Sequence, residues 1–175
     1  DGTRILFASN RDQLSARSDS SRGNFYLKDL NGVGSESPLF RSGQFKLPSD
    51  WSRDAHFILY HNADSPETSL WLLSLLGDRR PSLFLDFAAD GRFSPNGKWV
   101  AYSSQNEVYV RTFPLSEKKW LVSTRGGNQP LWRKDGKELF YVEPSGRLMS
   151  VDVQSGTATV FQHGVPRALF EMKNL

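Results

Sequence analysis

The sequence predicts an all-β fold, a partial β-propeller of about four blades built from four-stranded antiparallel sheets, and three observations carry that prediction. A turn-plus-strand pattern recurs: Asp1-Gly2-Thr3-Arg4-Ile5-Leu6-Phe7 lines up with Asp54-Ala55-His56-Phe57-Ile58-Leu59-Tyr60, with Asn96-Gly97-Lys98-Trp99-Val100-Ala101-Tyr102 and with Asp135-Gly136-Lys137-Glu138-Leu139-Phe140-Tyr141. Repeats of roughly 40 residues are what propeller blades produce. The composition agrees, because 13% aromatics with 14 Gly and 9 Pro in 175 residues favours short strands joined by tight turns. Finally, no segment carries the 3.6-residue periodicity of a helix.

Each unit is expected to follow one order of strands. A β-rich run follows the turn, at Ile5 to Ala8, Phe57 to Tyr60, Trp99 to Tyr102 and Leu139 to Val142. A second run follows at Phe25 to Leu27, Leu70 to Leu73, Val108 to Val110 and Leu148 to Val151. A third and weaker one is expected at Pro38 to Phe40, Ser82 to Leu85, Trp120 to Val122 and Ala158 to Phe161. Ahead of three of the turns lies an innermost strand, at Leu47 to Trp51, Asp90 to Phe93 and Gln129 to Trp132. Four strands per repeat make one blade, and the approximate blades are 1–42, 43–88, 89–126 and 127–170. In the second strand of the third unit, period-2 geometry puts Val108 and Val110 on one face and Tyr109 on the other.

The turn chemistry is legible. In Phe93-Ser94-Pro95-Asn96-Gly97-Lys98-Trp99, Pro pre-sets its φ, Asn can bond locally to the backbone and Gly accepts positive φ. The aromatic before the turn recurs as Trp51, Phe93 and Trp132, each expected to plug the space between adjacent blades. The turn residues Asp54, Asn96 and Asp135 are therefore expected to be structural and not catalytic acids. The polar loop from Asn10 to Gly23 reads as an insertion, since its counterpart in the third unit is only Ser103 to Asn106.

Charge and composition exclude several functions. The 22 basic and 19 acidic residues are mixed along the chain, so the net charge of +3 is not a basic tract of the kind that grips nucleic acid. No Cys is present, which removes disulfides, thiolate nucleophiles and Cys-ligated zinc. No run approaches the ~18 apolar residues of a membrane helix, and Asp1-Gly2 opens inside a repeat without a secretory signal. The abrupt opening and the missing innermost strand of the first unit lead to an expectation of an open arc. Such an arc is either part of a larger propeller or a piece whose copies associate through exposed blade faces.

The stretch Phe93-Ser94-Pro95-Asn96-Gly97-Lys98-Trp99-Val100-Ala101-Tyr102 resembles the aromatic-Ser-Pro-Asp-Gly-Lys repeats of TolB-like β-propellers, with Asn for Asp. Asn106 to Pro114, Gly126 to Tyr141 and Gly164-Val165-Pro166-Arg167 are similar to the propellers fused C-terminally to bacterial serine/threonine kinases. Arg53 and Lys134 depart from the pattern in place of the turn Pro, and Ala55 departs in place of a Gly. The resemblance implies a periplasmic or extracytoplasmic propeller of six or more blades that recognises proteins or small ligands. It also implies no catalytic residues and no cofactor. No glycine-rich nucleotide loop and no His-Arg-Asp sequence of a kinase is present.

A binding face is expected at the channel mouth, where the innermost strands present Ser49, Asp50, Asp90, Arg92, Asn128 and Gln129. The competing expectation is that these residues only solvate a channel. A second alternative is the propeller portion of a hydrolase, either a peptidase or a glycosidase, with its catalytic residues elsewhere. Gly32-Val33-Gly34-Ser35-Glu36 lacks the final Gly of a nucleophile elbow. His56, His61 and His163 lack metal-ligand spacing and are expected to be structural. Asn62, Asp64 and Glu67 share a loop but not the ligand spacing of a calcium site, so a solvated turn is expected there.

Overall fold

The computed structural model describes residues 2–11, 23–32, 34–62, 68–114, 116–154 and 160–172, which form sixteen strands in four antiparallel sheets and no α-helix. The first sheet has three strands, β1 (Arg4–Ser9), β2 (Asn24–Asp29) and β3 (Ser37–Phe40), in that order. The second runs β4 (Lys46–Trp51), β5 (Phe57–Asn62), β6 (Leu70–Ser74) and β7 (Pro81–Leu85). The third runs β8 (Ala89–Phe93), β9 (Trp99–Ser104), β10 (Glu107–Thr112) and β11 (Lys119–Leu121). In the fourth, β12 (Asn128–Trp132), β13 (Glu138–Val142) and the long β14 (Arg147–Gln154) are followed by two short pieces, β15 (Gln162–His163) and β16 (Arg167–Glu171), both paired to β14. The inner edges β1, β4, β8 and β12 lie side by side in sequence order, which is the radial arrangement of a partial β-propeller.

Strand alternation sorts side chains to the two sides of each blade. Ile58 and Tyr60 face the first sheet and pack with Phe25, Leu6 and Ala8, whereas Leu59 faces the third sheet and packs with Leu70, Phe93 and Val100. Val108 and Val110 join the junction with the fourth sheet and Tyr109 the junction with the second, as the alternation of β10 requires. The three aromatic plugs occupy equivalent places, one per junction: Trp51 in the first, Phe93 in the second and Trp132 in the third. Among the described residues no apolar cluster joins the fourth sheet to the first. The arc is accordingly open, with Leu131, Phe140, Val142, Leu148 and Phe170 on the outward side of the fourth sheet.

One strand lies away from its expected place. Ala158 and Thr159 fall outside the described residues, and Val160 and Phe161 belong to no strand. Phe161 turns inward and stacks edge-on against Trp99 and Trp132 at 5.5 and 6.1 Å, while the outer edge of the sheet is formed further on, by β15 and β16. Filling an aromatic void between blades outweighs the β-propensity of the run. Most of the Asn10 to Gly23 loop, with Val33, Asp64 and Glu67, also lies outside the described residues.

The turns show why Asp and Asn recur in them. Asn96 Oδ1 accepts from Ser94 Oγ at 2.7 Å and from Lys98 N at 3.0 Å, and Asp54 Oδ1 accepts from Ser52 Oγ at 2.6 Å and His56 N at 3.0 Å. In the fourth sheet Arg133 replaces the Ser and donates to both oxygens of Asp135, at 2.7 and 2.8 Å. That guanidinium holds the Asp135 carboxyl down to about 2. The next residue is left-handed in every copy: Gly2 at φ 74°, Ala55 at 61°, Gly97 at 69° and Gly136 at 73°. These carboxylates and amides are turn-locking groups.

Candidate functional site

Every innermost strand carries a β-bulge at the same height. The register shifts between Pro48 and Asp50 in β4, between Ala89 and Arg92 in β8, and between Asn128 and Leu131 in β12. A bulge inserts one unpaired residue and re-aims its neighbours. Asp90 and Gln129 sit at equivalent positions in theirs, with φ of 54° and 53°, a left-handed conformation that costs a non-glycine residue about 1–2 kcal/mol. In the second sheet that position is Pro48, which cannot adopt positive φ, and the extra residue there is Ser49.

The bulges bring part of the expected set together. Ser49 Oγ lies 3.3 Å from His61 Nδ1, across the β4–β5 pair. Asp90 and Arg92 are the charges that His61 feels. Burial lowers the His61 pKa and is the dominant cause, with Asp90 pulling it up and Arg92 pushing it down. Burial therefore disfavours the charged imidazole. The sequence predicts only that His61 is structural, either packed or exposed. Its neighbourhood depends on the exact pairing of Leu47 with His61 and on a bulge one residue later, neither of which leaves a composition signal.

The two aspartates serve the junctions. Asp50 Oδ2 accepts from Phe93 N of the next sheet at 2.7 Å, while Oδ1 accepts from Trp51 N at 2.8 Å. Burial raises the Asp50 pKa, and those two backbone donors with Arg92 oppose the rise. Asp90 Oδ2 accepts from Ser103 Oγ at 2.8 Å and from Gln129 N of the next sheet at 3.3 Å. A third link runs the other way, from Trp132 Nε1 to the Arg92 carbonyl at 3.1 Å. Arg92 is partly buried, and among the described residues its guanidinium donates no hydrogen bond.

Two cavities flank these strands at opposite ends. One of about 310 Å³ is lined by Arg4, Asp50, Trp51, Ser52, Phe93 and Lys134, among others, at the turn end. The other, about 370 Å³, lies where β8 and β12 begin and includes Asn106, Gly127 and Asn128. The six expected residues are thus divided. Ser49, Asp90 and Arg92 gather around His61, Asp50 borders the first cavity, Asn128 borders the second, and Gln129 joins Asp90 through its backbone. Asn62 donates to Gln44 Oε1 at 3.3 Å, and among the described residues no group of three or more His, Cys, Asp or Glu is placed to hold a metal ion.

No protein-family model matches the chain, and no curated protein sequence does. Among solved structures the chain is similar to TolB from Acinetobacter baumannii, at 20% identity and a TM-score of 0.70, over 97% of this chain and 42% of that one. A putative TolB from Agrobacterium tumefaciens is similar at 12% identity and a TM-score of 0.72, over 97% of this chain and 62% of that one. A chain of a nidogen–laminin complex is similar at 8% identity and a TM-score of 0.63, over 86% and 56%. The chain spans 42% and 62% of the two TolB chains. At these identities the likeness establishes the fold alone, a partial β-propeller.

Proposed function

We propose that the chain is a non-catalytic recognition module, which takes a protein segment or a small ligand on the face formed by its innermost strands. One observation carries this reading. Both aspartates of the site are engaged by backbone and hydroxyl donors of the junctions, while among the described residues the Arg92 guanidinium beside them donates no hydrogen bond. A guanidinium with five N–H donors in a fixed fork suits carboxylates and peptide carbonyls. The Asn128 and Gln129 side chains add neutral donors and acceptors on the neighbouring strand. Nucleic acid and membrane are not the partners this surface suits, and no helix among the described residues is long and apolar enough to cross a bilayer.

Titration with short peptides that end in a free carboxylate tests the reading, followed by the backbone amide resonances of β8 and β12. A saturable shift that is lost in Arg92→Gln, with no turnover of esterase, peptidase or glycosidase substrates, is the expected result. Turnover, or binding unchanged in Arg92→Gln, contradicts it.

The 3.3 Å contact of Ser49 with His61 favours a second reading, a hydrolase portion. Covalent labelling of Ser49 by a fluorophosphonate, absent in Ser49→Ala, would support it. The sequence motifs further support a bacterial, kinase-associated module on the extracytoplasmic side. A kinase domain and a membrane helix encoded upstream in the same reading frame would bear that out, and an independent start would not.

A further inference from the structure

Three non-glycine residues with left-handed backbone line the cavity of about 370 Å³ where β8 and β12 begin: Phe87 at φ 52°, Gln105 at 49° and Asn106 at 62°. Gln105 and Asn106 form the two-residue turn between β9 and β10, where positive φ at both positions suits the strand twist. No such reason covers Phe87. Left-handed backbone is an outlier for a bulky residue, and in the link from β7 to β8 glycine or asparagine would adopt it at less cost. The ring does not recover that cost by packing, since Phe87 is 54% exposed and joins none of the three apolar clusters. Strain kept without a return in packing points from the fold to a function.

The walls around Phe87 are tied together. Ser104 Oγ donates to the Phe87 carbonyl at 2.6 Å and Ala88 N to the Thr68 carbonyl at 2.9 Å, which hold the Phe87 backbone in place. On the far side Gly127 N donates to the Asn106 carbonyl at 2.8 Å. A Cβ on Gly126 would meet Asn106 Nδ2 at 2.8 Å, so that amide is packed against bare backbone. The side-chain amides of Gln105, Asn106 and Asn128 make no hydrogen bond among the described residues. No charged side chain is among the described residues that line the cavity.

We propose that this cavity is a binding site for a neutral saccharide, one ring of which lies against Phe87. Ligand pockets run from about 300 to 1,000 Å³, and a cavity at the small end suits a single ring. Each amide offers two N–H donors and a carbonyl acceptor, and each sugar hydroxyl both donates and accepts, so the three amides match a row of hydroxyls. The C–H face of the sugar supplies the apolar surface that the exposed aromatic lacks. A carboxylate, phosphate or ammonium would give up its hydration and find no counter-charge. Arg92 is not part of this cavity, and the site stands whether or not that guanidinium binds a ligand.

The test titrates the methyl glycosides of glucose, galactose, mannose and N-acetylglucosamine separately into the whole chain, followed by backbone and side-chain amide resonances. At least one should give saturable shifts centred on Asn106 and Asn128, and a capped, uncharged triglycine peptide should give none. Phe87→Gly decides what the ring is for. It should weaken binding about tenfold, the upper end for one aromatic contact. The same variant should melt at a higher temperature, because the backbone strain leaves with the side chain. Phe87→Tyr, which keeps the ring, should bind as the natural chain does. A lowered melting temperature in Phe87→Gly would give the ring a purely structural role and overturn the proposal. Shifts that stay linear in sugar concentration, glycoside binding unchanged in Phe87→Gly, or saturable binding of the triglycine peptide would each overturn it too.

Discussion

Ile5 and Val100 hold the same place in their sheets, each the second residue of the strand that follows the turn. Ile5 is 46% exposed, and Val100 is 0% exposed. The difference lies in the neighbours. Val100 has the second sheet on one side of its blade and β8 along its edge, while among the described residues Ile5 has neither. The same contrast separates Trp132, whose indole is bonded, from Trp51, whose indole has no acceptor among the described residues. Burial in this fold is therefore a property of junctions, and a blade with one filled junction is weaker than its sequence alone implies. A repeat array gains stability from nearest-neighbour interfaces, so its ends are the places to look for lost stabilisation.

The largest expected effect sharpens this comparison. Leu139→Ala, inside the third junction, should lower the unfolding free energy by about 2–5 kcal/mol, the range for deleting a fully buried Leu. Ile5→Ala at the open end should cost well under half as much. Urea titration of both variants decides it, and equal losses would break the comparison.

Next in size is the pair of plugs. Trp132→Phe removes the indole and leaves the Arg92 carbonyl without its donor, an expected loss of about 1–3 kcal/mol. Trp51→Phe removes an orphaned donor and should be close to neutral by the same measurement.

Ala55 offers a smaller change of opposite sign. It holds φ 61° where Gly97 and Gly136 hold 69° and 73°, so Ala55→Gly should raise stability by about 1 kcal/mol. Gly97→Ala, with open space around its Cβ, should lose a similar amount through backbone strain alone.

The smallest effect is a pH dependence. His61 binds its proton less readily when folded than when unfolded, because burial opposes the charge. Its contribution is fully present above the ordinary His range and is lost as pH falls through that range toward the lowered folded value. The melting temperature should fall modestly between about pH 7 and pH 5, and His61→Gln should flatten that slope. Asp50 acts with the opposite sense. Its raised pKa makes the charged form the costly one, so its share of stability declines as pH rises past the ordinary carboxylate range.

How much of this was legible in the sequence follows from what each feature depends on. The strands after each turn, the alternation of Val108, Tyr109 and Val110, and the plugs Trp51, Phe93 and Trp132 depend on local pattern, and the sequence shows them. The outer strand of the fourth sheet depends on competition. The run ending at Phe161 looks like a strand, but the space among Trp99, Trp120 and Trp132 draws its ring inward, and β16 forms beyond Pro166 instead. The candidate site depends on sheet-to-sheet geometry. Asp50 and Asp90 look like free mouth residues until the next sheet supplies Phe93 N and Gln129 N. His61 looks like an ordinary strand residue until a bulge turns Ser49 toward it.

Residue-resolved amide hydrogen exchange under native conditions tests the central claim most directly, that stability resides in filled junctions flanked by two open ends. Amides of β9 and β13 should exchange slowest, near the global unfolding limit, and those of β1 and β16 fastest among the paired strands. Equal protection of β1 and β9 at low micromolar concentration would show that the ends are covered, and it would contradict the account.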